Sequence, residues 1–201
     1  MHKNKTLLSG KVLEIRESHS LPNNDFYEFI VEVPRKSGAF DTVPFVVSYK
    51  LLHNNPIEVG DLVSAEGEIR TINKEIDGKS RLLVFNYLHS IEKITEEELN
   101  KIGDKNIVEL QGYVVKKPVY RETGKGRRIA DLLVAHNRSF GKESYIPTIA
   151  WGIDASLAKN VEVGEVVSIQ GRFQSRNYRS RTGETRTAYE LSVNSMSILE
   201  D

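Results

Sequence analysis

The chain of 201 residues has no cysteine, one tryptophan and no net charge, its 28 Lys and Arg being offset by 28 Asp and Glu. Without thiols, disulfides and thiolate metal sites are excluded, and a reducing compartment suits it. No apolar run approaches the roughly 20 residues of a membrane-spanning helix, and the opening MHKNKTLLSGKVLEI lacks the apolar core of a secretory leader. These absences predict a soluble, cytoplasmic protein of ordinary globular composition, long enough for one large domain or two small ones. The five histidines, at 2, 19, 53, 89 and 136, stand singly without ligand spacing, so no metal or cofactor is expected. Gly124-Lys125-Gly126 lacks the spacing of a phosphate loop and reads as a turn. No nucleophile elbow and no carboxylate pair at one site is evident, so the chain does not read as an enzyme.

What the chain does contain is itself, twice. Val59-Gly60-Asp61-Leu62-Val63-Ser64-Ala65-Glu66-Gly67 matches Val163-Gly164-Glu165-Val166-Val167-Ser168-Ile169-Gln170-Gly171 at an offset of 104. Upstream, Val43-Pro44 pairs with Ile146-Pro147 at 103, and Gly10-Lys11-Val12 with Gly112-Tyr113-Val114 at 102. Small loop insertions between two copies of one unit produce such drift. The expected domains are 1–94 and 107–201, joined by an acidic linker, 95–106, with room for one helical turn. Within each copy the apolar period is two, which means strands. In the second copy these are 107–117, 128–137, 145–151, 165–178 and 186–199, with a helix over 154–160 after the third. Five strands and one helix in about 95 residues is the layout of the OB-fold, a five-stranded Greek-key barrel. The fold expected is therefore all-β, two tandem OB barrels, with Gly67 and Gly171 bending a long strand in each.

The neutral total hides a polarity. Residues 1–105 hold 14 basic and 17 acidic side chains, a net of −3, and residues 106–201 hold 14 and 11, a net of +3. The excess base sits in two places. KKPVYRETGKGRR, between strands one and two, carries Lys116, Lys117, Arg121, Lys125, Arg127 and Arg128; GRFQSRNYRSRTGETR, between strands four and five, carries Arg172, Arg176, Arg179, Arg181 and Arg186. These two loops flank the binding face of an OB-fold. Alternation puts Val167, Ile169, Gly171 and Phe173 on the core side, and Ser168, Gln170, Arg172, Gln174, Arg176 and Tyr178 on the other as a cationic stripe ending in a ring. The same parity places Tyr145 and Trp151 on one side of their strand, roughly 20 Å apart. Arginines interleaved with exposed rings suit single-stranded nucleic acid, since cations follow phosphates and rings accept unstacked bases.

The run AHNRSFGKESYIPTIAWGIDASLAKNVEVGEVVSIQGRFQSRNYRSRTGETRTAYELSVNSMSIL, residues 135–199, also resembles the bacterial single-stranded DNA-binding protein family, including its primosomal replication relatives. The motifs are an NR-F, a W/F-G-K-L-A after strand three and a V-x-V-x-G-R-L-x-T-R-x-W/Y segment. The resemblance implies single-stranded DNA as partner, with Tyr145, Trp151 and Tyr178 stacking on bases and Arg138, Arg172 and Arg176 near phosphates. The basic loops add Arg179, Arg181, Lys116, Lys117, Arg127 and Arg128 to the expected interface. In the first copy Thr42, Ser48 and Lys74 stand opposite the three rings, so that copy either binds differently, through Tyr49, Phe45 or Tyr87, or serves to pair domains. By analogy, a homodimer would assemble the four OB domains that members of the family commonly need. Replication members usually carry a long tail with an acidic tip; the chain ends at SMSILED, which points toward a plasmid, phage, mobile-element or primosome-type relative.

Other readings stand beside this one. An Arg-rich hairpin also occurs as a solvated ribbon protected against edge pairing. Trp151 fits a core position too, and Tyr145 and Tyr178 fit surface or dimer contacts. The competing function is an OB-fold assembly module with weak or no nucleic-acid binding.

Overall fold

A computed structural model describes residues 3–18, 26–53, 55–76, 78–180 and 183–199. The chain divides into two compact units, Lys5–Ile107 and Val108–Asp201, the second also taking in Lys3 and Asn4.

The first unit contains β1 (Asn4–Glu17), β2 (Phe26–Pro34), β3 (Phe40–Ser48), α1 (Tyr49–His53), β4 (Leu62–Ile76), β5 (Lys79–Ile94) and α2 (Glu96–Lys101). The strands pair in the closed order β1–β2–β3–β5–β4–β1, antiparallel except at β3–β5. The second unit contains β6 (Asn106–Val114), β7 (Val119–Glu122), β8 (Arg128–Asn137), β9 (Glu143–Trp151), α3 (Gly152–Ala158), β10 (Val166–Arg179) and β11 (Thr185–Leu199). Its ring is β6–β8–β9–β11–β10–β6, with β9–β11 as the parallel junction. Each unit is thus a closed five-stranded barrel with a helix between its third and fourth strands, the OB-fold.

Period-two burial builds both barrels. In β4 the residues Val63, Ala65, Ile69 and Thr71 are buried, while Glu66, Glu68 and Arg70 between them remain partly exposed. Phe29 and Phe45 fill the first core; Phe173, Ile146, Ile169 and Leu191 fill the second. Each such side chain contributes about 1.5–3 kcal/mol on burial.

Gly67 and Gly171 sit where the register shifts in β4–β5 and β10–β11. A Cβ at Gly67 would lie 2.3 Å from the Tyr87 carbonyl oxygen, and one at Gly171 2.2 Å from that of Ser192. The glycines are needed for this close backbone approach at a bulge.

Three details differ from the sequence reading. The basic loop after β6 folds back as an extra strand, β7, paired with β8 around a turn in which Gly126 has φ +72°. The helix after β9 begins at Gly152, two residues earlier than its composition indicates. The connector 95–106 carries the expected helical turn as α2, whose capping box joins the Glu98 N–H to Thr95 Oγ1 (3.2 Å) and the Thr95 N–H to Glu98 Oε2 (2.7 Å), but it belongs to the first compact unit rather than standing between two. Within the first unit that connector is tied down by the Lys36–Asp104 ion pair (3.0 Å) and by the Ser9 N–H donating to the Lys105 carbonyl (2.9 Å).

Candidate nucleic-acid interface

Residues directly opposite in an antiparallel pair share a face. On the outer face of the second barrel, β8 and β9 bring Ile129 opposite Trp151, Asp131 opposite Ile149, Leu133 opposite Pro147 and Ala135 opposite Tyr145. On β10 and β11, Arg172 lies opposite Ser192, Gln174 opposite Glu190, Arg176 opposite Ala188 and Tyr178 opposite Arg186. The halves meet where the Trp151 indole Nε1–H donates to Ser192 Oγ at 3.2 Å. Tyr145, Trp151 and Tyr178 are 38%, 38% and 41% exposed, so none is a core residue.

The cations around these rings are held by acids. Arg176 Nε donates to Glu190 Oε1 at 3.1 Å, and Gln174 Nε2 donates to the same oxygen at 2.8 Å. Arg172 Nη2 donates to Gln174 Oε1 at 2.8 Å, which completes a network along β10. The Glu190 hydrogen bond raises the Arg176 pKa above the usual guanidinium value, with Asp131 adding a smaller effect. Asp131 is itself ion-paired with Arg121 on β7. Arg186 Nη2 donates to Glu184 Oε2 (2.7 Å), and Lys117 pairs with Glu162 (2.6 Å). At the far end the Tyr145 hydroxyl donates to Glu143, and this hydrogen bond, aided by the carboxylate's negative charge, raises the phenol pKa. Exposed pairs such as Lys117–Glu162 are worth little and exchange readily. Glu190, with a side chain 8% exposed, is a fixed counter-charge under the face, and it leaves Arg176 with further N–H donors for an anion.

Not every residue expected at the interface lies on this outer face. Gln174 is 4% exposed and belongs to the buried network rather than to an open stripe, because Glu190 covers it from β11. Arg128 precedes Ile129, so its parity turns it away from Trp151, and its Nη1 donates to Ser156 Oγ in α3 at 2.9 Å. Arg179, opposite Thr185, occupies the reverse face of the β10–β11 ribbon from Tyr178. Arg138 is half-buried at the β8–β9 turn, where its Nη2 donates to the Glu143 carbonyl at 3.4 Å. Lys116 and Arg127 are exposed at the two ends of the β7 excursion, and Arg181 lies outside the described residues. In the first unit Phe45 is fully buried, which removes it as a surface ring.

Sequence reasoning missed two features. Phe140, in the β8–β9 turn, is 98% exposed and has φ +62°, the single positive φ among described residues other than glycine. It is the aromatic of the NR-F motif, so the signal was present. Glu190 was missed because alternation gives a side chain's face without giving its partner.

Two closed barrels, one carrying half-exposed rings and networked arginines on its outer face, make this a tandem OB-fold protein. Residues 105–199, just under half of the chain, match the Single-strand binding protein family. The chain is 30% identical over 102 residues to "Single-stranded DNA-binding protein A" of Bacillus subtilis, a match covering 47% of this chain and 59% of that protein. It is likewise 30% identical over 102 residues to the "Single-stranded DNA-binding protein" of Oceanobacillus iheyensis, covering 47% and 63%. These matches thus span about three-fifths of each curated relative. In fold the chain is similar to the wild-type single-stranded DNA binding protein from Thermus aquaticus, with a TM-score of 0.72, 17% identity and coverage of 100% of this chain and 94% of that one. A deletion mutant of the Thermus protein gives 0.73, 19%, 100% and 96%.

Proposed function

We propose that this protein binds single-stranded DNA with little sequence preference, mainly through its second barrel, in support of replication, repair or mobile-element transfer. The observation that carries the reading is one sheet face with three half-exposed rings, bordered by the basic β7–β8 and β10–β11 hairpins. The family match over that barrel and the names of its relatives support it. Tyr145, Trp151 and Tyr178 accept bases, while Arg172 and Arg176 on the face and Lys116, Lys117, Arg127, Arg138 and Arg179 around it meet phosphates. This is a binding protein rather than an enzyme, and it acts in the cytoplasm. Its domains are 1–94 and 107–201 with 95–106 between them, and a homodimer supplies four OB barrels to one strand.

Trp151 is the chain's single tryptophan, so its fluorescence reports the site directly. Titration with oligo(dT) quenches it; an unchanged signal at saturating oligonucleotide would falsify stacking there. Replacing Arg172 and Arg176 together by alanine flattens the salt dependence, by about 0.7 in log–log slope for each phosphate that is no longer neutralised. An unaltered slope, read by anisotropy across a salt series, removes both arginines from the phosphate set.

A further inference from the structure

We infer that Glu190 is an internal competitor for DNA phosphate: it fixes the geometry of Arg176 and, by the same contact, withholds much of that arginine's charge from a bound strand. This rests on the reading of the second barrel given above. Glu190 stands on β11 opposite Gln174 on β10, and Arg176 lies two residues further along β10. Its Oε1 accepts from both Gln174 Nε2 (2.8 Å) and Arg176 Nε (3.1 Å), while Oε2 accepts a longer bond from Arg176 Nη2 (3.4 Å). Gln174 is oriented from its other end by Arg172 Nη2, which donates to its Oε1. The carboxylate is therefore held by two side chains, one of them itself held in place.

Two kinds of ion pair occur in this barrel, and they respond differently to an arriving anion. In Lys117–Glu162 the side chains are 57% and 70% exposed, so the acid swings into water and the lysine delivers its whole charge. In Arg176–Glu190 the arginine is 48% exposed and the acid 8%. At that depth Glu190 has no water to turn into, and breaking the pair would leave a buried charge alone. A phosphate at Arg176 thus meets the cation together with its counter-charge. The guanidinium carries more N–H donors than the two that reach Glu190, so it still directs hydrogen bonds to a phosphate while attracting it weakly. Asp131 on β8, itself paired with Arg121 on β7, adds a smaller effect on Arg176 in the same sense.

The fold does not require this acid. Aligned on the bulge glycines 67 and 171, Gln174 corresponds to Arg70, Arg176 to Ile72, and Glu190 to Phe85, the residue opposite Arg70. The first copy closes the same barrel with Phe85 buried at this position. Buried ion pairs are often no more stabilising than apolar side chains in their place. An acid on the face that carries the three rings, where the fold accepts phenylalanine, is explained by its effect on the ligand. The rings then supply most of the affinity, and Arg176 supplies direction.

Glu190→Gln separates the two effects. With its oxygen at the Oε1 position the amide still accepts from Gln174 and from Arg176 Nε, so the geometry stays while the negative charge goes. The variant is expected to bind oligo(dT) more tightly and with a steeper salt dependence, by up to about 0.7 in log–log slope. Its advantage over the wild type then grows about fivefold as salt is lowered tenfold. In an Arg176→Gln background, which keeps a donor for Glu190, the same substitution leaves the slope unchanged. Anisotropy of a labelled oligonucleotide reads both, and thermal melts check that each variant is folded. An unchanged or shallower slope in Glu190→Gln overturns the inference and leaves Glu190 a positioning residue alone. A steepening that persists without Arg176 also overturns it, since the acid would then act on the face as a whole. Retention on heparin, a polyanion without bases, repeats the test apart from stacking: Glu190→Gln elutes at higher salt than the wild type only while Arg176 is present. A wild type that ignores oligo(dT) while the heparin shift is seen removes the DNA reading and leaves the restraint on Arg176 standing. A wild type that binds oligo(dT), with no shift on Glu190→Gln in either assay, removes the restraint alone.

Discussion

Replacing Trp151 and Tyr178 together by alanine lowers the affinity for oligo(dT) by about 2–6 kcal/mol, since each stacked base is worth about 1–3 kcal/mol. That is a loss of roughly 30-fold to 10⁴-fold. Anisotropy of a labelled oligonucleotide measures it, and repetition across a salt series separates it from an electrostatic effect. The rings carry no charge, so the slope stays as in the wild type while the whole line moves down. Arg172→Ala with Arg176→Ala gives the opposite pattern, a changed slope with a smaller loss at high salt. The two ring positions differ in their cost to the fold. Trp151 is tied to Ser192 by its indole N–H and caps the end of β9, so its removal takes away some packing as well as the stacking surface. Tyr178 stands out on the β10–β11 ribbon opposite Arg186, and its loss leaves thermal stability nearly unchanged. Unaltered affinity in the folded double variant would show that bases do not stack on this face.

How far a sequence discloses such a site depends on whether the information is local. The repeat of VGDLVSAEG as VGEVVSIQG was legible because both fourth strands meet the same obstacle, a partner carbonyl that leaves no room for a Cβ at Gly67 or Gly171. The three ring positions of the second barrel were legible through parity along single strands. Phe45 was not, because Val43, Pro44, Phe45, Val46 and Val47 are all buried, and a strand covered on both faces has no polar alternation to read. Gln174 had the right parity, yet it is covered by an acid from a strand sixteen residues away. Arg128 was grouped with the basic loop by composition, whereas it is the first residue of β8, one position out of step with Ile129 opposite Trp151.

Gly171→Ala destabilises the second barrel by at least about 3 kcal/mol, the upper end of what overpacking costs, because the obstacle is backbone and cannot rotate aside. For a unit of this size that lowers its melting temperature by roughly 12–24 °C. Gly67→Ala does the same to the first barrel, where the new Cβ would meet the Tyr87 carbonyl oxygen at 2.3 Å. Gly124→Ala is the control, since nothing lies within 4 Å of its Cβ position, and it leaves melting unchanged. The two damaging variants separate the barrels functionally. Tyr145, Trp151, Tyr178, Arg172 and Arg176 of the outer face of the second barrel are carried by β9 and β10, and the bulge at Gly171 sets the register that puts Arg172 opposite Ser192. Gly171→Ala therefore removes quenching of Trp151 by a short oligonucleotide at temperatures where the wild type still responds. Gly67→Ala keeps that quenching and loses affinity only for strands long enough to reach the first barrel. Equal loss of short-strand quenching in both variants would mean that the face of the second barrel depends on the first, and the assignment of binding mainly to the second barrel would then fall.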